Sequence, residues 1–180
     1  MISTTESLQK LEELTTHYVE ELHQYELEEL RRKPDEEQWS LGQMILHLTN
    51  TALRTQIPNI KTCLAADQGG AAAAGEKTEA GQMLFGQGGF PNTRIRIEGN
   101  PGHTPPQPES KEQLIQGLQE VANGMKELLP LLEKASLAST VSHGRFGALQ
   151  AVEWFLLVEM HYRHHLKQKD RIKAFLAGSV

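Results

Sequence analysis

The chain of 180 residues carries a single cysteine, Cys63. One thiol cannot close an internal disulfide, and it cannot build a zinc site from several thiolates. An excess of positive charge is also missing. Eighteen Lys and Arg face 23 Asp and Glu, a formal net charge of −5, and the sequence pI is about 5.9. No global basic field exists to hold a phosphate backbone, so nucleic acid is not an expected partner. No run approaches the roughly 18–20 uninterrupted apolar residues of a membrane span, and the mean hydropathy of −0.45 agrees. The start, Met1-Ile2-Ser3-Thr4-Thr5-Glu6, lacks the basic and apolar regions of a signal peptide. With one cysteine and no export signal, a reducing cytoplasm is the expected location.

What remains is polar, charged and periodic. A length of 180 residues suits one domain with a real core, and no linker or internal repeat divides it. Four stretches have helical periodicity. In 5–31, Leu8, Leu11, Leu14, Tyr18, Leu22 and Tyr25 recur at three and four, and Pro34 comes next as a stop. The second stretch, 40–67, opens with Ser40 and Gln43 at capping-box spacing. Its apolar face is Leu41, Met44, Ile45, Leu48 and Leu53, and Pro58 is expected to kink or break it. The third, 110–132, opens on Ser110 and Gln113, again at that spacing, with Pro130 expected to bend its end. The fourth, 148–176, comes after a loop over 136–147. It is apolar through Val152, Trp154, Phe155, Leu156, Leu157 and Val158, then rich in histidine.

Between the second and third stretches, residues 67–109 collect glycine, alanine and proline. This excursion is expected to be a long, partly mobile loop, with a short extended piece at 93–97 that alternates with period two. The predicted architecture is therefore all-α, an up-down four-helix bundle with a long crossover or loop between helices 2 and 3. It forms one domain over 1–180.

Eight histidines are about twice ordinary usage, and their placement matters more than their number. In His161-Tyr162-Arg163-His164-His165, residues four apart return to one helix face, so His161 and His165 project together. They share a stripe with Trp154, Leu157, Val158 and Ile172, which points them inward, while His164 leans toward the rim. Paired histidines on a helix face can hold a divalent ion, given a third ligand from elsewhere. The best candidate is His47, on the apolar side of the second helix. Alone it reads equally as a buried, hydrogen-bonded imidazole. His17 and His23 read as surface residues, His103 as solvated, and His143 as a loop hydrogen-bonder or a neighbour of the site.

The motifs keep one order: Pro34, Trp39-Ser40, then Met44-Ile45-Leu46-His47-Leu48. Later come His143-Gly144-Arg145-Phe146-Gly147, Glu153-Trp154 and His161-Tyr162-Arg163-His164-His165-Leu166-Lys167-Gln168. This resembles the DinB-like superfamily, in which YfiT-like metal-dependent hydrolases and bacillithiol transferases are found. The resemblance covers most of the chain, though its motifs lie in about 34–50 and 142–172. It implies a four-helix bundle holding a divalent metal, most typically zinc or nickel, on three histidines. By position these are His47, His161 and His165.

Three neutral ligands leave open positions on an ion, the arrangement of a catalytic site. The function so implied is metal-dependent transfer or hydrolysis on a small molecule, with a low-molecular-weight thiol as one partner. The alternative is a non-catalytic, stress-associated dimeric protein that binds a metal or small molecule; a bundle with degenerate ligands and no metal is a third. No residue is assigned as catalytic. Glu159 lies about 200° round its helix from His161 and reads as solvated or ion-paired. Gln168 reads as a hydrogen-bond partner of a ligand histidine or as a polar rim residue. A homodimer is expected from Leu27, Leu30, Phe175 and Leu176, which find no obvious partner within the chain. Cys63 is expected to be neither ligand nor nucleophile, so any reacting thiol arrives with a substrate.

Overall fold

A computed structural model describes residues 3–66, 75–91, 104–133 and 135–178. The expected extended piece at 93–97 and His103 lie outside these residues. The described chain is predominantly helical, with one small hairpin.

Helix α1 (Thr4–His23) begins at a complete capping box: Ser3 Oγ accepts from the Glu6 N–H, and Glu6 Oε2 accepts from the Ser3 N–H at 2.9 Å. Its buried Leu8, Leu11, Tyr18 and Leu22 recur at the helical period. The predicted helix over 5–31 is interrupted. A second box, Glu26 with Glu29, restarts it as α2 (Leu27–Arg31). At α3 (Leu41–Thr51), the Ser40 and Gln43 box forms as expected.

Pro58 does not end the helical run that contains it. Residues Ala52–Gln56 widen into a π-helical turn, with the Ile57 N–H bonded to the Ala52 carbonyl, and α4 (Ile57–Ala66) continues. A proline withdraws one N–H from the regular ladder, and a wider turn just before it accommodates that loss within a continuing helix.

The excursion is partly built. Thr78 caps α5 (Glu79–Gln87), its Oγ1 accepting from the Gly81 N–H at 3.1 Å. Gly88 closes the helix at φ 67°, a left-handed conformation that suits glycine. Helix α6 (Lys111–Leu132) is capped by Ser110 and runs through Pro130. Gln113 gives its side-chain oxygen to the Glu109 N–H instead of Ser110, so only half of the expected box exists.

The predicted fourth helix starts late. Residues 140–150 form an antiparallel hairpin, β1 (Thr140–His143) with β2 (Gly147–Gln150), in the register Val141 to Leu149. Gly147 takes φ 76° as the second strand begins. The 76–78 segment lies along β2, with Ala148 N–H donating to Glu76 O and Thr78 N–H to Phe146 O, both at 3.0 Å. Helix α7 (Ala151–His164) then meets α8 (Leu166–Ala177) at a turn on His165.

Helix α1 packs on α6 and α7, α3 on α6, and α4 on α7. One apolar cluster joins them, with Trp154, Tyr18, Tyr162 and Phe155 among its largest members. Leu30 and Leu176 are buried in that cluster, and Phe175 packs against it. These three residues therefore have partners within the chain, while Leu27 is partly exposed. Among the described residues, no helix is long and apolar enough to cross a membrane.

Helix α8 is fastened to α1 by charge. Buried Lys169 Nζ donates to His17 Nε2 at 2.6 Å and lies 3.6 Å from Glu21 Oε1, while Lys173 pairs with Glu21 Oε2. Burial alone would raise the Glu21 pKa, but the Lys173 hydrogen bond and the two lysine charges outweigh it and hold the carboxyl below its ordinary range. A folded pKa below the unfolded one stabilises the fold above the unfolded pKa, and that stability is lost as pH falls through the folded pKa. Glu21→Gln is expected to cost about 2 kcal/mol in urea unfolding at neutral pH. The difference from wild type should close as pH falls below the ordinary carboxylate range and through the folded pKa.

Candidate metal centre

His47 projects from the middle of α3, ahead of the π-helical turn that begins at Ala52. His161 lies in the last turn of α7, and His165 sits at the junction with α8. The structure brings all three rings together. His47 Nε2 stands 3.0 Å from His161 Nε2, and His165 Nε2 stands 3.2 Å from the same atom. The candidate donor atoms all lie within 4.8 Å of one another.

This arrangement is electrostatically unusual. A neutral imidazole has one N–H and one lone pair. His165 Nδ1 lies 2.8 Å from Gln168 Oε1, which can only accept, so Nδ1 carries the proton. The lone pair of His165 Nε2 is then directed at the other rings. Protons do not fill the centre readily. Burial, and after it the neighbouring His47, pushes the His165 pKa down to about 3. Burial pushes His161 well below its ordinary value too, and His165 and His47 add to this.

A cation with tetrahedral Zn–N bonds of about 2.0–2.1 Å separates its nitrogen donors by roughly 3.3 Å. The spacings of 3.0 and 3.2 Å fit such a donor set. Three histidines in this arrangement can hold a metal ion. His161 Nδ1 is buried with no hydrogen-bond partner among the described residues. The orientation of that ring therefore comes from α7 and its packed neighbours, and not from a hydrogen bond behind it.

The other candidates separate clearly. His164 stays outside the trio, its ring 4.7 Å from Phe90 and 5.4 Å from His165. His143 is a hairpin residue: Nδ1 accepts from the N–H groups of Arg145 at 3.0 Å and Phe146 at 3.3 Å, and its ring stacks on Phe146. His17 serves Lys169, and His23 is exposed. Gln168 is the hydrogen-bond partner of His165, one of the candidate ligand histidines. Glu159 is not solvated. It is 1% exposed and paired with Arg163 at 2.7 and 3.2 Å. Glu153 holds Lys77 at 2.7 Å and the Gln150 N–H at 3.0 Å. Both carboxylates of α7 are thus committed to structure. Cys63 is buried, its Sγ 3.7 Å from the Leu149 carbonyl oxygen.

Two neighbours escaped the sequence reading in their role. Trp39 packs 4.8 Å from His47, and Phe90 lies 6.2 Å from His161. Trp39 stood in a recognised motif, but nothing in the composition of 67–109 singled out Phe90.

Three imidazoles gathered in a helical scaffold form a group that could hold a metal ion. The family model of the DinB superfamily matches residues 7–168, and the chain belongs to that superfamily. No curated protein matches it. DinB-like proteins bind metals, in agreement with the donor set.

The tautomers give a direct check. In a long-range ¹H–¹⁵N spectrum of chelator-treated protein, His165 is expected as the Nδ1–H form and His143 as the Nε2–H form. A protonated Nδ1 on His143 would contradict the hairpin geometry.

Proposed function

We propose that the chain holds a divalent ion, zinc or nickel, on His47, His161 and His165 within a four-helix bundle. We read it as a metal-dependent small-molecule enzyme, a thiol S-transferase or hydrolase. The convergence of the three Nε2 atoms carries this reading. A bound ion would supply Lewis acidity, making a thiol or water beside it more acidic.

The protein's own residues set the rest. Gln168 fixes the tautomer and ring orientation of His165. His165 is buried while His47 and His161 keep partial exposure, so a substrate approaches along the latter two. Glu153 and Glu159 are held in ion pairs and do not serve as bases. This favours a thiol, which ionises near neutral pH far more readily than water does. Since Cys63 is buried, the thiol comes with the substrate.

Elemental analysis of purified protein tests the metal. Near-stoichiometric content is expected in wild type, with loss in His47→Ala and His165→Ala; unchanged content in both variants would sink the proposal. Gln168→Leu should weaken metal affinity about 10- to 100-fold while leaving the fold intact. Turnover of a low-molecular-weight thiol with a halogenated aromatic, abolished by chelator, supports the transferase. Hydrolysis of small esters or amides under the same control supports the hydrolase. Stoichiometric metal without turnover across thiol cosubstrates supports a binding protein instead.

A further inference from the structure

The histidine trio is flanked by two aromatic rings from distant parts of the chain. Trp39 precedes α3 and lies 4.8 Å from His47, tilted by 49°. Phe90 comes after α5 and lies 4.7 Å from His164, nearly parallel at 31°, and 6.2 Å from His161. Both rings are only partly buried, unlike Trp154 and Phe155 of the core. An aromatic ring that serves packing alone gains most when fully covered. Here each flanks one of the two histidines that keep partial exposure.

Phe90 is also held in place from behind. Arg163 Nη2 donates to the Gly88 carbonyl at 2.8 Å, two residues away. The same guanidinium is gripped by the buried Glu159 carboxylate through Nε and Nη2. Gly89 passes so near that an added Cβ would stand 3.0 Å from Arg163 Nη1. A rigid, planar, always-charged fork suits this double duty, which a lysine would perform less well. The chain carrying Phe90 is fixed at its other end by Thr78, whose hydroxyl donates to the Arg145 carbonyl at 2.8 Å.

We propose that Trp39 and Phe90 are the two walls of a subsite beside the three histidines. It takes a flat apolar or aromatic group carried next to the metal-binding atom of a small-molecule ligand, with Arg163 as the positioning residue for Phe90. This rests on the metal reading above and adds the class of ligand to it. Aromatic walls reward a flat, apolar partner through stacking and area burial, whereas a polar, hydrated group gains little there.

The full chain loaded with cobalt(II) tests it, titrated with benzyl mercaptan and with 2-mercaptoethanol and monitored by thiolate-to-cobalt absorption. Wild type should prefer benzyl mercaptan. Phe90→Ala and Trp39→Leu should each weaken benzyl mercaptan binding roughly five- to tenfold, with 2-mercaptoethanol changed less than twofold and cobalt stoichiometry unchanged. Phe90→Tyr should keep the preference. Arg163→Met should lower the same ratio, and Arg163→Lys should restore part of it. A ratio that is unchanged in Phe90→Ala and Trp39→Leu overturns the subsite, as does an equal loss for both thiols. Absence of cobalt uptake by the wild-type chain overturns the metal reading and this inference with it.

Discussion

Three imidazole nitrogens sit within 4.8 Å of one another, two of them on histidines whose basicity burial lowers, and the rest of the architecture depends on holding them there. Lone pairs directed at a common point repel unless a proton or a cation lies between them. Burial makes the proton costly, as the lowered pKa values of His161 and His165 record. The constellation is therefore sustained by the surrounding fold. Helix α3 must present His47 at the level where α7 ends, and the burial of Met44, Ile45 and Leu48 beneath it fixes that level. On the opposite side, the turn at His165 lets one segment supply two donors with different ring orientations, at 77° between the His161 and His165 planes.

The elements outside the long helices serve the same end. The hairpin β1–β2 delivers His143 beside Trp154, whose Nε1 donates to the Val141 carbonyl at 3.3 Å, and stacks Phe146 on His143. Residues 76–78 add to that hairpin, which sets where α5 begins. The close approach of Gly81 to the Phe146 carbonyl then sets how α5 lies on it. A Cβ at Gly81 would lie 2.3 Å from that oxygen. Hairpin, α5 and the Gly88 turn thus form a continuous path of backbone contacts ending at Phe90.

The histidine trio was legible because helical spacing is a local property. His161 and His165 share a face at i and i+4 whatever the fold around them, and His47 interrupts an otherwise apolar face that has to be buried. The Ser40 box was legible for the same reason. The hairpin was hidden because Ala148, Leu149 and Ala151 suit a helix as well as a strand, and only Gly147 at φ 76° and the pairing with Thr140–His143 decide between them. Helix α5 was hidden by the glycines at 81, 86 and 88, which lower helical propensity; one of these is required by the contact with Phe146 and another by the left-handed cap. Pro58 misled for a different reason. Its missing N–H is absorbed by a wider turn just before it, so the helical run continues where a break was expected. Leu30 and Leu176 looked unpartnered because their partners are distant in the chain.

The junction at His165 joins the site to the stability of the fold. The His165 carbonyl accepts from the Lys169 N–H at 2.9 Å, so α8 begins in register with the donor residue. One turn on, Lys169 is buried against His17 and Glu21 of α1, and Ile172 and Leu176 enter the core. A buried ammonium tolerates little displacement, because moving it from its partners leaves a charge uncompensated in a poorly solvating interior. The charged clasp therefore specifies the rotation of α8 more tightly than its apolar contacts alone could. Gln168 rides on the same turn, and its hydrogen bond to His165 Nδ1 inherits that rotation. The orientation of the buried histidine of the trio is in this way tied to α1, an element that contributes no donor to the site.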